Sequence, residues 1–138
     1  MPHLGPHAFH IHAADAATRH ACKPTSLRLE PSPPHTLFHT PGRLGPRELY
    51  GDSQYGLLAR LREFEAWAQQ QRSFQFFQAS VLFMYEGEAE TMQQAKARVA
   101  FVDFAHTFQT VDGARDENLV ASLASLVKIL EQVVATAG

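Results

Sequence analysis

At 138 residues the chain has room for one ordinary domain and not for two. Its formal net charge of -2 argues against nucleic acid or an anionic membrane as the main partner, because phosphate backbones are held largely through an excess of Lys and Arg. The lone cysteine, Cys22, excludes an internal disulfide and makes a reducing cytoplasmic or nuclear setting the expectation.

The chain divides by composition. All 8 prolines lie at or before Pro46, and every histidine except His106 lies at or before His39. Residues 1–46 show no helical or strand period, and such a segment cannot bury enough apolar area to offset the ordering of its backbone. A disordered Pro/His-rich tail is expected there, followed by a folded region over 47–138. His7, His10 and His12 fit the spacing of no closed zinc site, so a solvated tail with weak adventitious metal binding is the simpler reading.

Leu57, Leu58, Leu61, Phe64, Trp67 and Ala68 recur at three- and four-residue steps, which predicts an amphipathic helix over 53–71 capped by Asp52 or Ser53. Phe64 and Trp67 are expected in the core. Residues 74–86 read as one strand, with Phe77, Ala79, Val81, Phe83 and Tyr85 on an apolar face. Phe76, Gln78, Ser80, Leu82 and Met84 share a mixed face, as in a strand that backs a core and turns its other side to a cleft. An acidic stretch with Glu86, Glu88 and Glu90 reads as a solvated loop, and a second strand follows over 98–104. The intervening length suits an antiparallel hairpin better than a helical crossover.

After Asp112 and Gly113, the stripe Leu119, Leu123, Leu126, Val127, Leu130, Val133 and Val134 predicts a second amphipathic helix, its start favoured by Asp112 or Asp116. No apolar run near 18 residues and no secretory leader are apparent, so no membrane association is expected. The elements together describe an α+β fold in the order tail, helix, strand, strand, helix.

The chemistry-bearing stretch is Val102-Asp103-Phe104-Ala105-His106-Thr107. By strand parity Asp103 shares a face with Val99 and Phe101, so an unpaired carboxylate there would be costly and a partner is expected. A Mg²⁺ ion bridging nucleotide phosphates, an arginine, or backbone N–H groups of the next turn would each serve.

Several spaced stretches resemble the inositol polyphosphate kinase family. Phe38 and Gly42-Arg43-Leu44 resemble its F...G.RL segment, and residues 58–64 resemble its long helix. Ala79-Ser80-Val81-Leu82 is similar to its SSLL strand with the first serine replaced. Residues 102–107 are similar to its IDFAHT-type motif, and 123–130 to its terminal LxxLxxIL helix.

The resemblance implies the C-terminal lobe of a kinase-like two-lobe fold, an antiparallel hairpin packed with amphipathic helices. It implies ATP-dependent phosphorylation of inositol phosphates, with ATP and an inositol polyphosphate as partners. Asp103 would be the Mg²⁺ ligand, with Ser80 and His106 lining the nucleotide site. Two departures stand against a complete site. Val120-Ala121-Ser122-Leu123 replaces the usual GL element, and the PxxxDxKxG motif that brings catalytic Asp and Lys residues does not occur in this sequence. The chain by itself is therefore expected to be inactive. The alternative is a non-catalytic remnant that binds a nucleotide or a protein.

Overall fold

The computed structural model describes residues 43–137, together with the backbone of two strand segments, β1 (His10–Asp15) and β2 (Thr25–Ser26). These two segments interrupt the region expected to be a disordered tail, and the rest of that expectation lies outside the described residues. The folded part also begins earlier than 47, since Leu44 packs against the core.

Helix α1 (Pro46–Gly51) is short and was not anticipated by apolar period. Its start rests on local chemistry: Pro46 occupies the first turn, where no N–H partner is needed, and the Gly45 N–H donates to Glu48 Oε2 at 3.2 Å. Leu49 and Tyr50 go into the core. Asp52 then organises a turn instead of capping the next helix, its Oδ1 accepting from the Gln54 and Tyr55 N–H groups at 2.9 and 2.6 Å. This moves the start of α2 (Leu57–Gln70) four residues past the expected one and makes Gly56 its N-cap. A Cβ on Gly56 would stand 2.5 Å from the Asp52 carbonyl oxygen, so the turn closes only around glycine.

The stretch expected as one strand is two. β3 (Phe74–Phe77) and β4 (Ser80–Tyr85) are separated by Gln78, whose φ of 57° breaks the pleat. The short capped helix α3 (Met92–Ala95) then occupies part of the presumed acidic loop. Its Thr91 Oγ1 accepts from the Gln94 N–H while Gln94 Oε1 accepts from the Thr91 N–H. Arg43 reaches across to this connection, pairing with Glu90 and standing 3.6 Å from Glu88. β5 (Arg98–Val102) returns antiparallel to β4, as the hairpin expectation required, and β6 (His106–Gln109) pairs antiparallel with β3. The result is a four-stranded sheet in the order β2-β1-β4-β5, with β1 parallel to β4, and a two-stranded β3-β6 ribbon.

Helix α4 (Glu117–Thr136) is long and apolar enough by length and composition to cross a membrane, which corrects the expectation that no such stretch exists. Its buried stripe of Leu119, Leu123, Leu126, Val127, Leu130 and Val133 belongs to the core shared with α1 and α2, so packing accounts for its apolarity. Where α1 passes α4, a Cβ on Gly51 would lie 2.7 Å from Val134 Cγ1, so the two helices approach over a bare backbone. Across the separate contact of α2 with α4, Arg62 of α2 pairs with Glu131 of α4 at 2.6 Å.

Two core assignments change. Trp67 stacks on Phe64 but remains 45 % exposed. Phe76, not Phe77, packs on the core, because the break at Gln78 reverses the facing of β3 relative to β4.

One carboxylate joins the ribbon to the helices. Asp116, only 4 % exposed, caps α4 by accepting from the Leu119 N–H through Oδ1 at 3.0 Å, and its Oδ2 accepts from the Phe76 N–H of β3 at 2.8 Å. Asp116→Ala removes a cap worth about 1 kcal/mol and strands a part-buried N–H at about 1–3 kcal/mol. A loss of roughly 2–4 kcal/mol in urea unfolding is expected; a loss under about 1 kcal/mol would mean that the second bond contributes nothing.

Burial, and next the neighbouring Tyr85 phenol, raise the Tyr50 phenol above its ordinary value of 10.0. The folded state therefore holds its proton where the unfolded chain releases it. This contribution is complete below pH 10 and declines as pH rises beyond it. Thermal midpoints should fall above pH 10, and Tyr50→Phe should flatten that decline. An unchanged slope in the variant would remove Tyr50 from the account.

Candidate functional site at the strand junction

The β4-β5 ladder ends at the pair Ser80 and Val102, and the β3-β6 ladder begins at the pair Phe77 and His106. Between them lie Gln78 and Ala79 on one side and Asp103, Phe104 and Ala105 on the other. Both sides carry a non-glycine residue in the left-handed region, Gln78 at φ 57° and Asp103 at φ 70°. The hairpin thus changes partners and facing at a single junction. Ser80, Asp103 and His106, the three residues marked out by sequence, all bracket it.

Their environments differ from expectation. Asp103 was expected on the strand face beside Val99 and Phe101, where its charge would require a partner. Its positive φ instead ends the strand and leaves the residue exposed, so the carboxylate keeps its hydration and owes nothing to a buried ion pair. His106 is exposed at the start of β6. Ser80, expected to line a cleft, is 6 % exposed and packs within the sheet.

Aromatic rings brace the turn on both sides of Asp103. Phe101 and Phe104 lie 5.3 Å apart by ring centroid, and both meet Phe76, at 4.9 and 5.8 Å. Phe64 supports Phe101 from α2 at 4.9 Å. Edge-to-face and tilted pairs of this kind each add stabilisation beyond area burial. Asp103 is thus carried on a backbone anchored two residues before and one residue after it.

Sequence reasoning passed over Thr107, which follows His106. Its Oγ1 is buried and has no hydrogen-bond partner among the described residues, an arrangement that pattern alone does not signal. Among the described residues no group of three or more His, Cys, Asp or Glu side chains could enclose a metal ion. The junction offers a single carboxylate.

A left-handed aspartate that makes no buried contact carries a backbone cost of about 1–2 kcal/mol. Asp103→Gly should therefore raise or hold the thermal midpoint, and Asp103→Ala should lower it, since alanine has the Cβ penalty without the local hydrogen bonding of Asp or Asn. If the glycine variant is less stable than the parent, the carboxylate has a structural duty after all.

The inositol polyphosphate kinase family model matches residues 47–131. The inositol polyphosphate multikinase of rice, Oryza sativa, is 38% identical over 92 residues, and the inositol polyphosphate multikinase alpha of Arabidopsis thaliana is 31% identical over 88. These alignments take in 63% and 62% of this chain and 30% of each relative, so the chain spans about a third of their length. A solved inositol phosphate multikinase is similar in structure, with a TM-score of 0.54 and 28% identity over 63% of this chain and 38% of that one. With a family model covering well over half its length, the chain belongs to the inositol polyphosphate kinase family.

Proposed function

We propose that this chain supplies the metal- and nucleotide-side portion of an ATP-dependent inositol phosphate kinase, with Asp103 as the Mg²⁺ ligand. The observation that carries this reading is the placement of Asp103: an exposed carboxylate, in a strained left-handed turn, on a backbone braced by Phe101 and Phe104. A charge that contributes nothing to packing and occupies a costly conformation is the kind of group that function retains.

The donor set fits a hard cation taken up with its nucleotide. Mg²⁺ uses one or two carboxylates and fills its octahedron with water and phosphate oxygens, so a lone exposed aspartate matches it while a closed protein cage would not. Bound there, the ion would neutralise charge on the nucleotide phosphates, the electrostatic contribution on which phosphoryl transfer chiefly relies. The chain's own residues then have positioning tasks. Asp103 fixes where the phosphates lie, and His106, exposed at the first rung of β6, can donate a hydrogen bond to a phosphate oxygen. Ser80 acts from within the sheet by holding the last rung before the junction.

A PxxxDxKxG motif is absent from this sequence, and with it the acceptor-binding Asp and Lys that the family uses. The purified chain should therefore show no turnover on inositol phosphates, because transfer needs an acceptor held in line with a clamped nucleotide. Joined to the complementary portion of the rice multikinase, it should turn over with Mg²⁺ and ATP. Asp103→Asn in that chimera should lower kcat by about 10²-fold or more with the thermal midpoint kept, a loss of the order produced by removing one transition-state electrostatic contact. Turnover retained in the asparagine variant would end the metal-ligand reading.

A further inference from the structure

Away from the junction, two adjoining cavities of about 390 and 310 Å³ lie between α2, α3 and the start of β5. They share Arg60, Ala97 and Arg98, and the second also takes in Lys96, Tyr55 and Gln93. We propose that this groove is an anion site that binds a multiply phosphorylated small molecule, separate from the Asp103 junction and independent of the kinase reading.

The charge balance of the lining is the first argument. Three cations, Arg60, Lys96 and Arg98, face one carboxylate, Glu63, in a chain whose overall charge is -2. Glu63 is already taken: Arg60 holds it at 2.9 Å and spends its other terminal nitrogen on the Gln54 carbonyl at 3.0 Å. Two acids of the neighbouring connection, Glu88 and Glu90, are held by Arg43. Among the described residues neither Lys96 nor Arg98 forms an ion pair, so two adjacent cations line one groove uncompensated.

Backbone geometry is the second. Lys96 closes α3 with φ at 48°, a left-handed cap that turns the chain sharply into β5. Ala97 is buried, and its neighbours on either side, Lys96 and Arg98, are exposed. Alternation along the chain therefore puts both cations on the outer side of a fixed point. Beside them, Gln93 Nε2 donates to the Tyr55 hydroxyl at 3.2 Å, which orients a neutral polar pair on the same wall. Cavities of this size suit a small molecule. Fork-shaped arginine and point-charge lysine donors are the usual recognition pair for phosphate oxygens.

Distance separates this site from the junction. Arg98 opens β5 and Asp103 follows its last residue, so about five residues of strand, roughly 16 Å, lie between them. A nucleotide held at Asp103 would leave the groove free for a second ligand.

The test uses the full chain with inorganic pyrophosphate, followed by amide chemical shifts in ¹H–¹⁵N spectra. Saturable shifts should centre on Lys96, Ala97 and Arg98 and weaken as ionic strength rises through about 0.15 M. Lys96→Gln combined with Arg98→Gln should raise the Kd about tenfold or more, and each single change should raise it by a smaller factor. Arg62→Gln, on the other side of α2 and paired with Glu131, should leave it unchanged. Thermal midpoints of all four variants should match the parent, because each altered side chain is exposed. Vesicles rich in phosphatidylserine supply a comparison: capture by vesicles without pyrophosphate binding would overturn the small-molecule assignment. So would equal loss in Arg62→Gln, an absence of saturable shifts, or shifts centred on Asp103 and His106 that survive the double change.

Discussion

The structure depends on the two bonds that Asp116 accepts. A two-stranded ribbon in water is marginal on its own, since only one edge of each strand is paired and its apolar face is narrow. β3 gives one edge to β6, and its other edge is fastened at Phe76 by a carboxylate that also begins α4. A single side chain therefore sets the ribbon against the helix that carries most of the core's leucines and valines. Without it, Phe76 would have no fixed height from which to brace Phe101 and Phe104.

The junction follows from that attachment. Once β3 is fixed to α4 and β4 to the larger sheet, the chain between them must change direction within two residues, and Gln78 does so by a positive φ. The facing strand makes the same change at Asp103. Two left-handed non-glycine residues are each unfavourable alone, and here the surrounding ladders and rings over-determine them. The consequence is chemical as well as geometric. A carboxylate that simple alternation would have placed beside Val99 and Phe101 is turned into solvent.

Helix packing is economical in a different way. α1, α2 and α4 meet through backbone left bare at Gly51 and Gly56, where an added methyl would collide with Val134 or with the Asp52 carbonyl. The tight turn between α1 and α2 also directs Arg60 and Tyr55 toward α3 and β5, so the basic groove arises from the same short connection that closes the core. The two candidate sites lie at opposite ends of β5, one offering a carboxylate and the other two unpaired cations.

Much of this was legible in the residue order. The apolar periods from Leu57 to Ala68 and from Leu119 to Val134 named both long helices and nearly all their buried positions, although not the start of the first, because helix burial repeats with a period the side chains themselves display. The hairpin followed from connection length, and the start of the last helix could be narrowed to Asp112 or Asp116 from their place before the apolar stripe, the structure choosing Asp116. Asp103 and His106 were found through motif resemblance, which preserves order and spacing whatever the backbone does between them.

The exposure of Asp103 was not legible, nor were the division of 74–85 into two strands, the exchange of Phe77 for Phe76 in the core, and the second bond of Asp116. Each turns on a partner distant in sequence. Strand parity assumes an unbroken pleat, and only pairing with β6 on one side and β5 on the other decides where the pleat must break. The family was thus legible in the sequence alone, and Asp103 was marked out there as the candidate aspartate. Whether that aspartate would be buried or offered to solvent was decided by tertiary structure, because two residues of left-handed backbone cost less than leaving either ladder unpaired.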